Sequence, residues 1–361
     1  MTEQRRVIGD GRPSAGSPSS ASPGSRLRSR ISPTIRWAHR RTAAVCLALL
    51  SCPWIMEGAR AQSAAAYPLK PIRIIVPVQA GAPSDVIARM IGPKLTETWR
   101  QPVIAENRVG ATGLLAAEAM YKSPADGHTM IVMTLTQLIS TLVYQKYMLA
   151  SEFAAVSMIG ATPFAIAVNP AVPAKNIAEL ITWAKAKPGE PYASTGNWGS
   201  AHLCMESFNT LAGIKMLHVP HPGSPVAANA LMAGDVKVYC AAALSVAKLA
   251  QGGRLRLLGV TYQQPTKLMP GLPPVSDTLP GFELLGWYGM QVNKGTPPDI
   301  VAKINAEIVR IVKQPEMGER MMATGVDPLG TTPAEFTTFL QKEAERWSRV
   351  LKEHNARPED L

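Results

Sequence analysis

The length and composition of this chain are those of a globular protein: it has 361 residues, 46% hydrophobic and 17% charged, enough for two domains. Its net charge of +11 is uneven, because residues 1–61 hold ten Arg against three acidic residues and the remainder holds 27 basic against 23 acidic residues. Such a small, dispersed excess argues against a nucleic-acid groove.

The first 61 residues predict a segment outside any folded domain. Residues 1–35 are rich in Ser, Pro, Gly and Arg and have almost no large apolar side chains, which predicts a disordered extension. From residue 36, Arg and His precede an apolar run that begins at Ala43 and fades by Met56. This pattern is typical of a secretory signal peptide, and the run is shorter than the roughly 20 residues that cross a bilayer.

Two processing sites compete within the signal segment. Ala59-Arg60-Ala61 has small residues at both positions that a signal peptidase reads, so the mature chain is predicted to begin at Gln62 in the periplasm. Leu49-Leu50-Ser51-Cys52 approximates a lipobox. A lipid anchor at Cys52 is therefore the alternative.

The first predicted strand runs directly into a loop of small residues that opens a helix. The apolar run Ile72–Val76 predicts a strand covered on both faces. Ser84 or Asp85 is predicted to cap the helix after the loop. Gly81 and Ala82 would let an anion approach free backbone N–H groups at the positive end of that helix. The segment predicts a carboxylate or phosphate site, with a plain strand-to-helix turn as the alternative.

Strand-like and helical segments alternate from residue 72 almost to the C-terminus. Strands are predicted near 72–77, 103–106, 129–134, 164–169, 191–195, 216–219, 236–241, 255–261 and 283–292. Helices are predicted near 84–98, 114–122, 136–144, 177–187, 200–212, 225–233, 244–251, 298–313 and 333–354. The alternation predicts α/β sheets with ligand sites at the carboxyl ends of parallel strands. Small or hydroxyl residues come after four of those ends, at 81–84, 134–136, 194–200 and 223–224.

Two cysteines, Cys204 and Cys240, belong to the predicted mature chain. A disulfide between them would suit an exported protein. Because each lies in an apolar segment, two buried free thiols are the prediction. His202 and Cys204 are two residues apart, a spacing that does not place them side by side on a helix, so no metal site is predicted.

A hydrolase is the competing class of function. His202 and His221 could serve as general bases and Ser200 as a nucleophile. A nucleophile elbow needs Gly-x-Ser-x-Gly, and that motif does not occur around Ser194, Ser200 or Ser224. The prediction is a protein that is not an enzyme and has no cofactor.

Eight stretches of sequence together point to one family. They are 67–77, 106–113, 124–129, 192–203, 218–223, 287–289, 294–297 and 301–305, which include Glu-Asn-Arg-Val-Gly-Ala-Thr-Gly and Tyr-Ala-Ser-Thr-Gly-Asn-Trp-Gly-Ser-Ala-His-Leu. In this order, from about Tyr67 to the C-terminus, the chain resembles the substrate-binding proteins of tripartite tricarboxylate transporters, also called the Bug or TctC family.

The resemblance implies a type II periplasmic-binding-protein fold, with two α/β lobes joined by two crossover segments. Lobe 1 would comprise 64–162 and 282–361, and lobe 2 would comprise 163–281. Such a protein captures a small carboxylate and delivers it, as a monomer, to integral-membrane permease subunits. Presentation of the ligand to a two-component sensor kinase is the alternative.

The resemblance also implies which residues hold the ligand, largely through backbone amides and ordered waters. Carried over by position, they are Gly81, Ala82, Ser84, Asp85, Thr134, Thr136, Ser194, Gly196, Asn197, Ser200, His221 and Ala241.

This chain departs from the family pattern at four places. The first loop reads Val-Gln-Ala-Gly-Ala-Pro-Ser-Asp instead of Phe-Pro-Pro-Gly-Gly-Gly-Thr-Asp, and Pro83 removes one amide donor. His221 replaces the Tyr of a Pro-Tyr-x-Gly motif. Ala241 replaces an Asp that often comes after the strand predicted to end at Cys240, which disfavours an amino-acid ligand. Trp198 adds bulk to the Tyr-Ala-Ser loop and favours a flat or apolar ligand body.

Overall fold

The computed structural model describes residues 66–263 and 266–361. The predicted extension, the predicted signal peptide at 36–61 and the two processing sites lie outside these residues. None of the helices that the structure describes is long and apolar enough to cross a membrane.

The first part of the described chain alternates strands and helices as predicted. Strands β1 (Ile72–Val76), β2 (Val103–Asn107) and β3 (Thr129–Thr134) are parallel, with β1 in the middle. Helices α1 (Pro83–Trp99), α2 (Leu114–Tyr121) and α3 (Leu135–Tyr144) come after these strands in turn, one helix after each strand. Four of the five β1 residues are fully buried, which explains why its apolar run does not alternate.

Strand β4 (Phe153–Val168) is much longer than the predicted strand at 164–169. Its first part, to Pro163, is antiparallel to β9 (Leu285–Asn293), and its last part, from Phe164, is antiparallel to β7 (Val238–Ala242) and β8 (Arg256–Val260). The sequence hides the first part because two register shifts, after Ala155 and after Met158, interrupt its periodicity.

The second half-sheet contains the end of β4 with β5 to β8. Strands β5 (Pro191–Ser194) and β6 (Leu217–Pro220) run parallel to each other, and β5 also runs parallel to β7. The half-sheet carries α4 (Ile177–Ala186), α5 (Ser200–Ala212), α6 (Ser224–Ala233) and α7 (Ala243–Gln251). The predicted strand near 236–241 is shifted, since β7 ends at Ala242 and α7 begins at once.

A disulfide joins Cys204 on α5 to Cys240 on β7, with 6.2 Å between the Cα atoms. The prediction of two free thiols was therefore wrong. Both residues are fully buried, as predicted, but β7 lies beside β5 in the sheet, and the helix after β5 packs over β7. Burial and pairing are compatible here because the sheet order brings together two residues 36 apart in sequence.

The chain returns to the first half-sheet through β9 and ends in helices. These are α8 (Pro298–Val312), α9 (Pro315–Ala323) and α10 (Pro333–Glu353), with the short strand β10 (Asp327–Pro328) before α10. Helix α9 was not predicted, because its charged sequence comes after α8 with only two residues between them.

Two crossover segments join the halves into two α/β lobes, as predicted. One is β4 at residues 163–164, and the other runs between β8 and β9. Thr261 ties them together, since its N–H donates to the Phe164 carbonyl (2.8 Å) and its hydroxyl donates to the Leu284 carbonyl (2.7 Å). The lobe limits at 162–163 and 281–282 stay a prediction.

Candidate ligand-binding site

The loop after β1, residues 77–82, opens α1 in a way that corrects the predicted cap. The helix begins at Pro83, with Ala82 as the N-cap residue, so neither Ser84 nor Asp85 caps it. Proline suits the first helical position because its φ is already helical and its missing N–H is not needed there. Val86 makes the first helical bond, to the Ala82 carbonyl (3.0 Å). The N–H groups of Ser84 and Asp85 therefore have no acceptor within the helix.

The Asp85 carboxylate is bonded within the protein, by N–H donor groups of three residues. Its Oδ2 accepts from the Gly81 N–H (2.9 Å), both oxygens accept from Arg89 Nε (3.0 and 2.9 Å), and Oδ1 accepts from Asn107 Nδ2 (2.8 Å). Burial alone would raise the pKa of Asp85, but the hydrogen bonds from Arg89, Gly81 and Asn107 hold that pKa below its ordinary value. The Gly81 amide, predicted to be free, is already used.

Thr134 lies at the end of β3 and is the N-cap residue of α3. The side-chain oxygen of Gln137 accepts from the Thr134 N–H (3.2 Å) and from its hydroxyl (2.6 Å). Thr136 is half-buried in the first turn of the same helix. Because β1 and β3 are adjacent and parallel, the N-termini of α1 and α3 open at the same edge of lobe 1.

The Tyr-Ala-Ser loop (residues 192–200) opens α5 in lobe 2. Ser194 is fully buried, and its hydroxyl accepts from the Gly196 N–H (3.1 Å) and lies 2.5 Å from His218 Nε2. Gly196 has a positive φ of 133°, Asn197 is exposed, and Ser200 is half-buried as the first residue of α5.

His221 lies beside the Tyr-Ala-Ser loop, whereas Ala241 lies inside a strand. The His221 N–H donates to the Ser194 carbonyl (3.0 Å), which joins the loop after β6 to the Tyr-Ala-Ser loop. Ala241 is fully buried inside β7, paired with Ala165, and does not lie beyond the strand end as predicted. The side chain at this position is therefore a small apolar one within the sheet.

The structure thus gathers the predicted residues into two sets. Gly81, Ala82, Ser84, Asp85, Thr134 and Thr136 lie at helix N-termini of lobe 1, and Ser194, Gly196, Asn197, Ser200 and His221 lie at those of lobe 2. Among the described residues, no hydrogen bond joins one set to the other. Contact between the lobes occurs elsewhere: the Thr266 hydroxyl donates to Asp327 Oδ2 (2.6 Å).

A cluster of aromatic and histidine side chains behind the Tyr-Ala-Ser loop was not predicted. The rings of His202 and His218 stack at 3.8 Å, and Tyr192 lies against His218 at 5.2 Å. The Tyr192 hydroxyl donates to Glu206. His354, just after the end of α10, approaches Glu206 Oε2 within 3.5 Å. No local pattern in the sequence indicates this cluster, because Tyr192 comes opposite His218 only through the register of β5 and β6.

His202 is neutral and accepts a hydrogen bond from the loop. Its Nδ1 accepts from the Trp198 N–H (2.9 Å), which requires that nitrogen to be unprotonated. Burial, then the neighbouring His218 and His354, lower the pKa of His202 to about 3, although Glu206 Oε1 stands 3.7 Å from Nε2. The depressed pKa agrees with the acceptor role of Nδ1. Among the residues that the structure describes, no group of His, Cys, Asp and Glu could hold a metal ion.

Trp198 packs against histidines. Its ring lies 5.0 Å from His202 and 6.1 Å from His354, and only 7% of the residue is exposed. Its φ of 54° is left-handed, which is unusual for a bulky residue. These contacts account for its burial without a ligand, so the expected flat or apolar ligand body has no support from this residue.

Cavities among the described residues lie away from the predicted ligand residues, and two of them are the following. The larger, about 790 Å³, separates the end of α3 from the end of α10 and is lined by Leu142, Met148, Leu351 and Lys352 among others. Another, about 590 Å³, lies between β2 and α2. None of the twelve predicted residues lines either cavity, so helix N-termini, and not cavity volume, define the candidate site.

Two α/β lobes joined by two crossover segments, with helix N-termini at the carboxyl ends of parallel strands, are the fold of a type II periplasmic binding protein. The family model described as the tripartite tricarboxylate transporter family receptor matches residues 87–356, and the chain belongs to this family. The resemblance seen in the sequence is confirmed. Because members of the family are periplasmic solute-binding proteins and not enzymes, the chain is a solute-binding protein and the hydrolase alternative is dropped.

Several relatives are similar along almost their whole length. Protein BugT of Bordetella pertussis is 31% identical over 301 residues, which cover 82% of this chain and 92% of that protein. MatC of Rhodopseudomonas palustris, solved with bound malate, is 27% identical with a TM-score of 0.64 and covers 79% of this chain and 100% of its own. A second R. palustris protein, solved with adipate, is 28% identical with a TM-score of 0.65 and covers 79% and 97%.

Proposed function

We propose that this protein captures a small mono- or dicarboxylate in the periplasm and delivers it to a tripartite tricarboxylate-type membrane permease. The observation that carries the proposal is the pair of first-turn amides at Ser84 and Asp85, which have no acceptor within α1. Such amides, at the positive end of a helix, bind carboxylates without a cationic side chain. Relatives solved with malate and with adipate support the same class of ligand.

The proposed site contains donors from both lobes. In lobe 1, the amides of Ser84 and Asp85 and the first turn of α3 would receive one carboxylate. In lobe 2, Ser200, Asn197 and the amides that open α5 would receive the other end of the ligand. Asp85 itself acts through its amide, because its carboxylate already accepts from Gly81, Arg89 and Asn107. With that carboxylate already bonded, the predicted set offers no acidic partner, which disfavours a ligand that carries an amine.

Binding is tested with a panel of mono- and dicarboxylates, including malate and adipate, and amino acids as controls. At 1,000 times the dissociation constant, a ligand stabilises the folded state by about 4 kcal/mol. For a chain of this length the melting temperature should rise by about 8–16 °C, at roughly 2–4 °C per kcal/mol. A panel in which amino acids shift the melting curve and carboxylates do not would reject the proposal.

Export belongs to the same proposal. A signal peptide cleaved before Gln62 would deliver the chain to an oxidising compartment, and the Cys204–Cys240 disulfide agrees with such a compartment. N-terminal sequencing of the periplasmic protein should begin at Gln62. Recovery in the membrane fraction with a lipid on Cys52 would favour the alternative anchor.

The membrane partner is tested separately from binding. Deleting the permease genes of the host should abolish uptake of the bound carboxylate and leave its binding to the purified protein unchanged. Uptake that persists, together with loss of a transcriptional response when the binding protein is deleted, would favour the sensor-kinase alternative.

A further inference from the structure

Asn107, at the end of β2, uses its whole side-chain amide on α1 and on the loop that opens this helix. Its Nδ2 donates to the Val78 carbonyl (2.9 Å) and to Asp85 Oδ1 (2.8 Å), and its Oδ1 accepts from Arg89 Nη2 (2.9 Å). One side chain therefore ties the beginning of the loop to the first turn of the helix. Asn107 lies in the Glu-Asn-Arg stretch at 106–108, to which the proposed site assigns no role.

Asp85 and Arg89 complete this arrangement, and we call the three residues the first-loop clamp. Asp85 holds the end of the loop through the Gly81 N–H (2.9 Å), where φ is +85°. Ala82, the N-cap residue, makes no side-chain capping bond. The loop is thus shaped by side chains of α1 and of the neighbouring strand β2, because its small residues have no side chains that could do so.

The clamp also holds the Asp85 carboxylate away from the ligand side of the helix end. Asp85 is the third residue of α1, so an unpaired carboxylate there would repel a ligand carboxylate at the same helix end. Arg89 and Asn107 both bond to that carboxylate, and Asp85 is only 2% exposed. The first-turn amides are left open while the negative charge is held within the protein.

We propose that Asn107 is a positioning residue for ligand capture, which holds the loop and the Asp85 carboxylate so that the first-turn amides of α1 face the ligand. This inference rests on the proposed carboxylate function. It assigns no contact between Asn107 and the ligand.

Asn305 provides a matched control in the same lobe. Its Nδ2 likewise donates to two oxygens, here the backbone carbonyls of Val156 and Thr331, at 2.8 Å each, and it is half-buried like Asn107. Calorimetry at a temperature where all variants are folded should show carboxylate affinity about tenfold weaker for Asn107→Ala and within about twofold of wild type for Asn305→Ala. Equal affinities for the two variants would overturn the proposal.

A charge swap separates positioning from simple destabilisation. Asn107→Asp sets two carboxylates against each other and should weaken binding about tenfold to 100-fold. Adding Asp85→Asn exchanges the two groups: the carboxylate is now at position 107 and the amide at position 85. The hydrogen bond that joins them at 2.8 Å in the wild type can form again in the opposite direction, with Arg89 still beside both side chains. The double variant should recover at least about fivefold of the lost affinity. No recovery would show that the pairing of these two side chains does not matter.

Amide exchange at Gly81 tests the clamp without any ligand. The Gly81 N–H donates to Asp85, so exchange at Gly81 should become faster in Asn107→Ala and stay unchanged in Asn305→Ala. Unchanged exchange in Asn107→Ala would overturn the clamp. Faster exchange in a protein that binds no member of the carboxylate panel would uphold the clamp and reject the proposed function, so the two failures are distinguishable.

Discussion

The two loops that face the proposed ligand are held by different kinds of interaction, one by a charged group and the other by neutral side chains. The loop before α1 is held by a charged group, because its Gly81 N–H donates to the Asp85 carboxylate, which is paired with Arg89. The loop before α5 is held by neutral rings, through the Trp198 N–H on His202 and Ser194 against His218. Salt should therefore act mainly on lobe 1, and protonation near neutral pH should act mainly on lobe 2.

The largest effect should come from the covalent link within lobe 2. The disulfide closes a loop of about 36 residues, for which the chain-entropy relation gives about 4 kcal/mol. Replacing Cys204 and Cys240 together with Ala should lower the melting temperature by about 8–16 °C. Reductant should destabilise the wild type and leave the double variant unchanged. If the double variant and the oxidised wild type had the same melting temperature, packing alone would hold α5 on β7.

The next effect concerns the shape of the lobe 1 loop, and two glycines make a matched pair. Gly81 and Gly189 both have φ of +85°, and an added Cβ would meet nothing within 4 Å at either. Valine should strain both positions by about 1–2 kcal/mol of folding free energy. Only Gly81→Val should weaken carboxylate binding, by about tenfold or more, because only that loop presents the first-turn amides.

Calorimetry and urea denaturation of both glycine variants check this. Similar losses of stability with a loss of affinity in Gly81→Val alone would support the loop as the binding element. Equal affinity in wild type and Gly81→Val would mean that the ligand does not reach this loop.

The pH dependence of stability should separate the lobes further. The pKa of His202 falls from its ordinary 6.5 to about 3 on folding, so below pH 6.5 the unfolded chain binds a proton that the folded chain does not. The free energy of unfolding should then decrease by about 2 kcal/mol between pH 7 and pH 5 for this group alone. Burial also lowers the pKa of His218, which adds in the same direction.

Asp85 acts in a lower window. Its folded pKa lies below its ordinary 3.8, so its contribution is complete above that pH and is lost as the pH falls through the folded value. His202→Asn keeps an acceptor for the Trp198 N–H but cannot be protonated. In urea titrations it should flatten the decrease in unfolding free energy between pH 7 and pH 5. An unchanged slope would assign the proton to another group, such as the neighbouring His218.

How far the sequence could predict each feature depends on how local that feature is. Strand β1, the helix after it and the family motifs rest on short patterns, and their prediction was close to the structure. The first half of β4 was missed because register shifts break its period. The disulfide and the histidine stack depend on which strands are neighbours, so Tyr192 meets His218 only once β5 pairs with β6. The roles of Asp85 and Asn107 depend on one loop meeting the next strand.

The smallest effect should come from Arg89, whose side chain is 51% exposed. Arg89→Ala leaves Asp85 bonded to Gly81 and Asn107 but removes the positive charge that offsets its carboxylate. The negative charge near the first-turn amides would then repel the ligand, so carboxylate affinity should fall by at most about fivefold at low salt. Arg310 is the control, since its side chain is also 51% exposed and it pairs with Glu307 on α8. The Arg89 effect should shrink at about 0.5 M salt, because screening weakens exposed charges, and Arg310→Ala should have none. A loss that does not depend on salt would mean that Arg89 acts by shaping the loop and not by its charge.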